Sequence, residues 1–209
     1  MSIKTFHASH YPSARAAHWL EDSIGASSLE ESDLLILPGG SDINPALYNE
    51  KDIHPRTHFY DSIDELHSSL FKEAVKQGKF IVGICRGAQM GTALSGGRLI
   101  QHVTNHAGMS HPIEFNDGEI HKINSLHHQM CWPYQMDKND YELIAWSYEK
   151  LSRTYDFNSN EVKEEIEFDE PEIIYYPKTR CLAIQGHPEM LGRGVPVVEK
   201  INQIIHNKL

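Results

Sequence analysis

The chain has few cysteines, an excess of acidic over basic residues, and no long apolar run. Its cysteines, Cys85, Cys131 and Cys181, are too few for a disulfide framework and fit a reducing cytoplasm. The 19 Lys and Arg against 29 Asp and Glu give a net charge of −10, which argues against nucleic acid as a partner. No stretch could span a membrane, and the first residues lack the apolar core of a signal peptide. We therefore expect a cytoplasmic protein with neither nucleic acid nor a membrane as partner.

The length and composition predict a single α/β domain over residues 1–209. A hydrophobic fraction of 40% and a charged fraction of 23% are ordinary for a globular protein that buries a full core. Apolar runs at 33–37 and 80–84 are typical of strands buried on both faces of a parallel sheet. Between them, 62–77 has the apolar spacing of one helical face, which predicts a strand-helix-strand unit with a right-handed crossover.

Capping residues predict the ends of this helix, and short strands predict a different second half. Ser62 and Glu65 form a capping-box pattern, and Gly78 is positioned to end the helix. Later apolar runs follow one another without long helices, which favours a partly antiparallel half with strands at 120–123, 142–146, 164–168 and 172–176. We interpret the acidic run 161–170 as a solvated strand edge, and predict a closing helix from Pro196.

Cys85 lies in Gly-Ile-Cys-Arg-Gly-Ala-Gln, directly after the apolar run 80–82. A cysteine between two glycines after a buried strand is typical of a sharp strand-to-helix turn, where the backbones approach closely and the nucleophile is held in a strained turn at the start of the next helix. A helix N-terminus also favours the reactive thiolate. The alternative is a buried structural cysteine, because free cysteines are among the most buried residues.

A base and an oxyanion site are also present. An apolar strand runs into His187-Pro188-Glu189, where an extended backbone would place His187 and Glu189 on one side, as a thiol, histidine and carboxylate triad requires. The strand before Leu-Pro-Gly-Gly-Ser-Asp42 ends in a turn that could aim N–H groups at one point. The N–H groups of Gly40 and Arg86 are the natural pair to stabilise an oxyanion. Alone, each motif could be an ordinary loop or turn.

The abundance of histidine, 14 in all, raises the question of a metal site. His102 and His106 are four residues apart, His111 is nearby, and His127 and His128 are adjacent. A helical pair with this spacing can bind zinc, but the glycines around it argue against a helix there. We therefore predict no metal and no cofactor, and solvated or pocket-lining positions for these histidines.

Taken together, these motifs resemble the class I glutamine amidotransferase superfamily. The similarity runs in order from about residue 33 to residue 189 and includes Asn-Ser-Leu-His-His-Gln at 124–129 and Gly-Gly-Arg-Leu-Ile-Gln at 96–101. Within that superfamily the chain is most similar to the γ-glutamyl hydrolase branch, peptidase family C26, which includes γ-glutamyl-γ-aminobutyrate hydrolase. The resemblance implies a three-layer, flavodoxin-like fold, with a mostly parallel sheet flanked by helices.

The resemblance also implies roles for individual residues. Cys85 is the expected nucleophile, His187 the general base and acid, and Glu189 the group that orients the histidine. Positions matching substrate contacts in relatives are Gly39, Gln89, His127, His128 and Gln129. The implied reaction is hydrolysis of a γ-glutamyl amide through a thioester, without a cofactor.

Two departures from the family pattern stand out. The residue before the His-Pro-Glu motif is usually aromatic, and Gly186 is expected to leave extra space near the histidine. The N-terminal region is short, with a strand at 2–6 and a helix at 13–22, so the sheet is expected to lack one edge element.

Three functions stay open at this point. The first is a stand-alone hydrolase of a small γ-glutamyl substrate, favoured by Arg86 and the absence of a fused synthetase domain. The second is a glutaminase subunit that passes ammonia to a synthetase partner, and the third is a catalytically silent binding module. A homodimer is possible in each case.

Overall fold

The computed structural model of the protein describes residues 2–8, 18–164 and 167–209. Its helices are α1 (Asp61–Lys76), α2 (Arg86–Leu94), α3 (Pro188–Leu191) and α4 (Pro196–Lys208), with a short 3-10 helix at Pro45–Tyr48. Its strands are β1 (Ile3–His7), β2 (Ser23–Gly25), β3 (Leu34–Leu37), β4 (Phe80–Ile84), β5 (Arg98–Ile100), β6 (His102–Val103), β7 (Met109–Phe115), β8 (Ile120–Ser125), β9 (Met130–Trp132), β10 (Glu142–Ser147), β11 (Thr154–Asp156), β12 (Val162–Glu164), β13 (Pro171–Tyr176) and β14 (Cys181–Ile184).

A central sheet organises the chain. Within the described residues it has nine strands in the order β2-β1-β3-β4-β14-β13-β10-β7-β8. Neighbours from β2 to β14 are parallel, whereas the pairings β14–β13, β13–β10, β10–β7 and β7–β8 are antiparallel. The small sheets β12-β11-β6 and β5-β9 lie outside it. The antiparallel second half predicted from the sequence is therefore present.

Alternate residues of the central strands pack into two separate hydrophobic cores, one on each face of the sheet. Leu34, Ile36 and Val82 pack in one core with the apolar face of α4, which carries Val197, Val198, Ile201 and Ile205. Leu35, Leu37 and Ile81 point to the other core, which includes Phe71 and Ala74 of α1 and Ala88 and Met90 of α2. Helices therefore cover both faces of the sheet, which is the three-layer α/β arrangement expected for strands that read as continuous apolar runs.

Close backbone packing joins α2 to the strands beneath it. A Cβ on Gly83 would overlap the carbonyl oxygen of Gly87, and one on Gly87 would overlap the carbonyl oxygen of Leu37. The two glycines thus allow the first turn of α2 to lie directly against β3 and β4. This is the physical requirement that the glycine spacing around Cys85 indicated.

Several element boundaries differ from the predictions. Helix α1 begins at Asp61 with Tyr60 as its N-cap and no side-chain capping bond, so the Ser62–Glu65 capping box is wrong. The predicted end is confirmed, because Gly78 directly follows the C-cap Gln77 and has a φ of +67°. Packing of Phe71 and Ala74 in the core stabilises the helix without a side-chain cap.

The predicted strand at 164–168 is shifted towards the N-terminus. The observed strand β12 ends at Glu164, residues 165–166 lie outside the described residues, and Phe168 is not in a strand. Tertiary packing explains the difference, because the Phe168 ring packs against Trp132 and Tyr155, with ring centroids 4.7 and 4.8 Å apart. Aromatic contacts of this kind override strand propensity.

The N-terminal edge is more complete than expected. The predicted first strand is confirmed as β1, and β2 pairs parallel with it as a further edge strand, so the expected loss of an edge element is wrong. Half of the predicted helix at 13–22 lies outside the described residues, and residues 18–22 form turns. None of the helices in the described parts of the chain has the length and apolar character needed to cross a bilayer.

The close approach at Gly83 gives a stability prediction. Gly83→Ala should lower the free energy of unfolding by about 1–3 kcal/mol, because the new methyl group must displace backbone rather than a flexible side chain. Urea denaturation followed by circular dichroism measures this. Gly25→Ala is the matched control, since a Cβ added there would meet no atom within 4 Å, and an equal loss in both variants would contradict the packing argument.

Candidate active site

Cys85 occupies a strained turn between β4 and α2. It is the N-cap of α2 with φ +50° and ψ −105°, a conformation that costs a non-glycine residue on the order of 1–3 kcal/mol. Its N–H donates to the carbonyl of Ile184 at 2.7 Å, which ties the turn to the end of β14. The surrounding packing therefore holds this cysteine in the geometry of a nucleophile elbow.

His187 lies beside Cys85 and is oriented by Glu189. Its Nδ1 is 2.6 Å from Glu189 Oε1, and its backbone N–H donates to Asn124 Oδ1 at 3.1 Å. The extended segment expected here ends at His187, because Pro188 begins α3 and places Glu189 in the first helical turn. The two side chains meet through that turn rather than through strand alternation.

The charge on His187 is set by these same neighbours. Burial by itself lowers the pKa of the imidazole, but hydrogen bonds to Cys85 and Glu189 and their negative charges raise that pKa to about 10. The histidine is therefore protonated at neutral pH, between the thiol and the carboxylate. A thiol beside a histidinium is a stronger nucleophile than one buried among apolar groups.

The Pro-Gly-Gly turn after β3 closes over this pair. A Cβ at Gly39 would come within 2.8 Å of His187 Cε1 and 3.6 Å of Cys85 Cβ, so Gly39 lies against both side chains. A Cβ at Gly40 would lie 3.2 Å from Cδ of Arg86. The structure thus brings Gly39, Gly40, Cys85, Arg86 and His187 together.

The expected extra space before the histidine is not there. A Cβ at Gly186 would lie 2.5 Å from Cδ1 of Ile123 and 2.9 Å from the carbonyl oxygen of Asn124. Ile123 of β8 therefore fills the volume where the family pattern has an aromatic ring, and the prediction of a gap was wrong.

Sequence reasoning missed a buried ionic link behind the elbow. The Arg86 guanidinium forms an ion pair with Asp64 of α1 and donates to His67 Nδ1 at 2.6 Å. The other oxygen of Asp64 accepts the N–H of Asn44 at 2.8 Å, in the loop that follows Gly40. Asp64 thus connects the glycine turn to the elbow. Only its place on the buried face of α1 could have marked it.

Two glutamines predicted to contact substrate carry buried polar atoms without a partner. Gln89 is in the first turn of α2, one helical turn after Cys85, and its N–H donates to the Cys85 carbonyl at 3.0 Å. Its Oε1 is buried and has no hydrogen-bond partner within the described residues, and the same holds for Oε1 of Gln129. Buried acceptors without donors are costly, so each fits a position that a bound ligand would satisfy.

The adjacent residues His127 and His128 have different burial and different partners. His128 is partly exposed, and its Nε2 lies 3.1 Å from Asp42 Oδ1, in the loop after Gly40. His127 is buried, with Nδ1 donating to the Gln129 carbonyl at 2.8 Å and Nε2 3.6 Å from Glu172 Oε1. The ring nitrogens of His127 are thus directed at protein groups, whereas His128 lies beside the loop after Gly40.

The other predicted histidine positions also need correction. His106 and His111 are buried against Glu172 together with His127, and are neither solvated nor pocket-lining. His102 is separate from them and stacks on His54 with ring centroids 5.2 Å apart. The acidic run is not wholly solvated either, because Glu170 is only 2% exposed and accepts hydrogen bonds from the backbone N–H groups of residues 151 and 152.

Sequence comparison places the chain in a known family. A sequence model of the Peptidase C26 family matches residues 18–147, more than half of the 209 residues. The chain belongs to the Peptidase C26 family. Protein NtpR of Enterococcus hirae is 28% identical over 176 residues, covering 78% of this chain and 69% of NtpR. The glutamine amidotransferase-like protein YvdE of Lactococcus lactis is 29% identical over 119 residues, covering 47% of this chain and 50% of YvdE. The chain thus spans about half the length of YvdE.

Solved structures share the fold of this Peptidase C26 member. A chain in the structure of PurLQS from Thermotoga maritima matches with a TM-score of 0.61 and 17% identity, covering 99% of both chains. A glutamine amidotransferase from the same organism matches with a TM-score of 0.57 and 12% identity, covering 100% of this chain and 95% of that one. The α/β fold predicted from the sequence, glutamine amidotransferase-like with a large mixed sheet between helices, is confirmed.

The environment of the three cysteines predicts unequal reactivity. Burial raises the pKa of the Cys131 thiol to about 12 and raises the pKa of Cys181 further, and both are fully buried. A limiting dose of iodoacetamide at neutral pH should therefore modify Cys85 first, as peptide mapping by mass spectrometry would show. His187→Gln should slow that labelling, because it removes the histidinium. Labelling of all three at one rate, or an unchanged rate in the variant, would contradict the assignment.

Proposed function

We propose that this protein hydrolyses a γ-glutamyl amide bond, with Cys85 as nucleophile. Peptidase C26 membership supports glutamine-type amide hydrolysis, and hence a hydrolase acting on C–N bonds, at the coarse level. The observation that carries the proposal to individual residues is the Cys85, His187 and Glu189 arrangement at a strained elbow, with Gly39 packed against it. We assign the activity to one domain over residues 1–209.

The reaction follows from the positions of these groups. The Cys85 thiolate attacks the side-chain carbonyl carbon, and the developing oxyanion accepts hydrogen bonds from the N–H groups of Gly40 and Arg86. The carbon–nitrogen bond breaks as His187 gives its proton to the departing amine, which leaves a γ-glutamyl thioester. Neutral His187 then takes a proton from water, whose oxygen attacks the thioester and releases glutamate, and the thiolate and histidinium return.

Recognition of the glutamyl part is assigned to polar groups around the elbow. The Oε1 atoms of Gln89 and Gln129 are buried and without a partner among the described residues, and both suit the ammonium group of a glutamyl substrate. His128 faces Asp42 at the loop of Gly39 and Gly40, where the leaving amine would pass. His127 would act indirectly, by holding the Gln129 backbone. We place the chain in the γ-glutamyl hydrolase branch on these residues and on the Asn-Ser-Leu-His-His-Gln segment.

A second candidate is the glutaminase subunit of an amidotransferase. The fold shared with a chain of PurLQS and with the Thermotoga maritima glutamine amidotransferase supports it, since ammonia would then be the leaving group. The two candidates differ in whether a synthetase partner is needed for turnover. A catalytically silent module is disfavoured by the intact triad arrangement, and a homodimer is compatible with either activity.

A product assay separates the two candidates. The purified chain alone should release glutamate from γ-glutamyl amines at a rate well above that of Cys85→Ala, which should have no measurable activity. Glutamate release is followed with a coupled dehydrogenase, over a panel that includes free glutamine and γ-glutamyl conjugates of small amines. Turnover that appears only after adding a synthetase fraction would favour the amidotransferase subunit. Activity retained in Cys85→Ala would remove the nucleophile from the proposal.

Substitutions in the triad should act mainly on turnover. His187→Ala should lower kcat by on the order of 10²–10⁴-fold, because general acid and base catalysis is lost. Glu189→Gln should lower kcat less than that and leave KM nearly unchanged, since the carboxylate stabilises the histidinium rather than binding substrate. Steady-state kinetics measure both, with Glu199→Gln on the exposed face of α4 as control. An unchanged kcat in Glu189→Gln would exclude it from the triad.

A further inference from the structure

We propose that three buried histidines and a glutamate of strand β13 form a structural site for a divalent transition metal such as Zn²⁺. The ligands are His106, His111, His127 and Glu172, none more than 3% exposed. One candidate ligand atom each from His106, His111 and Glu172 lies within 4.8 Å of the others. We call these four residues the histidine cluster.

The first argument is convergence on one oxygen. Glu172 Oε1 is 2.9 Å from His111 Nε2, 3.4 Å from His106 Nδ1 and 3.6 Å from His127 Nε2. Ligand atoms around tetrahedral Zn²⁺ with bonds of about 2.0–2.1 Å are separated by about 3.3 Å, which is the middle of this range. A carboxylate oxygen offers two lone pairs, so it is poorly suited to accept three separate N–H bonds. The distances of the three nitrogens from this oxygen suit a cation that Glu172 shares with the histidines.

The second argument is the tautomer that each outer hydrogen bond imposes. A carbonyl oxygen only accepts, so His127 Nδ1 must donate to the Gln129 carbonyl, 2.8 Å away. In the neutral ring His127 Nε2 then has a lone pair directed at the Glu172 carboxylate, 3.6 Å from its Oε1. Two acceptors that face one another in a buried site need a cation between them.

His106 repeats this arrangement with a carboxylate in place of the carbonyl. Its Nε2 is 3.1 Å from Glu170 Oε2, so it donates to that carboxylate and leaves Nδ1 on the side of Glu172. Within the described residues Nδ1 of His106 and Nε2 of His127 have no hydrogen-bond partner. Metal-binding histidines characteristically donate their other N–H to a carboxylate or carbonyl, and both of these histidines do so.

The third argument is charge. Glu170 and Glu172 are both buried, and the ion pairs that they form within the described residues are with histidines, which are charged only when protonated. Glu170 has further donors, from the backbone at 151–152 and the Tyr155 hydroxyl, whereas Glu172 depends on the histidines. A divalent ion neutralises both carboxylates and satisfies His106 and His127 at once.

The alternative is a protonated network without metal. Burial lowers the pKa of His106, but the two glutamates raise it to about 9, so one proton on this ring could bridge them. That proton leaves the lone pair of His127 facing Glu172 at 3.6 Å, so a network without metal needs a second proton on His127 as well. One metal ion accounts for the contacts of both His106 and His127 with Glu172. The protonated network without metal is the competing outcome of the test.

The proposed role is structural, because the cluster is closed to solvent. It joins three separate parts of the chain, namely residues 106–111, the segment 127–129 and strand β13. Strand β13 pairs with β14, which leads into His187, and the Gln185 side chain donates to the Gln129 carbonyl at 3.2 Å. The ion would thus hold the segment that carries His128 and Gln129 against β14, without taking part in the reaction at Cys85.

Metal content of the full, untagged chain tests the site. The protein is unfolded with a chelator, refolded with or without one equivalent of Zn²⁺ or Co²⁺, and desalted, with Cys85→Ser run in parallel to exclude capture by the thiol. We expect one metal per chain by elemental analysis, the visible absorption of tetrahedral Co²⁺, and a melting temperature that rises with free Zn²⁺. X-ray absorption fine structure at the zinc edge should show imidazole and oxygen neighbours and no sulfur. Sulfur neighbours would overturn these ligands.

Variants locate the ion. Glu172→Gln and His106→Gln should lose the metal, while His102→Gln, in the separate pair with His54, should keep one equivalent. Glu170→Gln should weaken affinity by about 10–100-fold, because it changes the outer hydrogen bond of His106 without touching a proposed ligand. Circular dichroism checks that this variant still folds, since Glu170 also accepts hydrogen bonds from residues 151, 152 and Tyr155. This variant decides the matter if substitutions at the ligands prevent folding. Folded wild-type chain that retains no metal would show that a protonated network fills the site, and retention in Glu170→Gln with unchanged affinity would place the ion elsewhere.

Discussion

The catalytic geometry depends on how closely the first turn of α2 approaches the carboxyl ends of β3 and β4. Gly83 and Gly87 remove the side chains that would separate these backbones, so Leu37 and Gly87 meet directly. That contact fixes Cys85 at a positive φ, at the one point where the glycine turn after β3 and the histidine after β14 both reach it. The strain at this residue is tolerated because the packing on either side over-determines the turn.

A buried ion pair between Asp64 and Arg86 also stabilises the turn at Cys85. Asp64 is 3% exposed and bonds both the Arg86 guanidinium and the Asn44 N–H, so one carboxylate connects the elbow to the loop after Gly40. His67 completes the link, because its Nε2 donates to the Ala8 carbonyl at 2.7 Å and its Nδ1 is left to accept from Arg86. A buried charge without such partners would be strongly unfavourable, so these groups act as one unit.

His187 and His127 lie in loops and have opposite environments. The pKa of His187 is raised because Cys85 and Glu189 outweigh its burial, and the imidazole lies beside the cysteine of the elbow. His127 is buried, and its Nε2 faces Glu172 Oε1 at 3.6 Å. The difference lies in the groups that surround each imidazole: Cys85 and Glu189 at His187, and Glu172 and the Gln129 carbonyl at His127.

The sequence by itself determined the elements whose information is local. Continuous apolar runs identified β3 and β4, helical spacing identified α1 and α4, and the glycines around Cys85 identified the elbow, because each depends on neighbours along the chain. Tertiary structure decided what depends on distant residues: the filling of the space at Gly186 by Ile123, the link through Asp64, and the gathering of His106, His111 and His127 around Glu172. Those contacts join residues far apart in sequence, and only the packing of the sheet brings them within bonding distance.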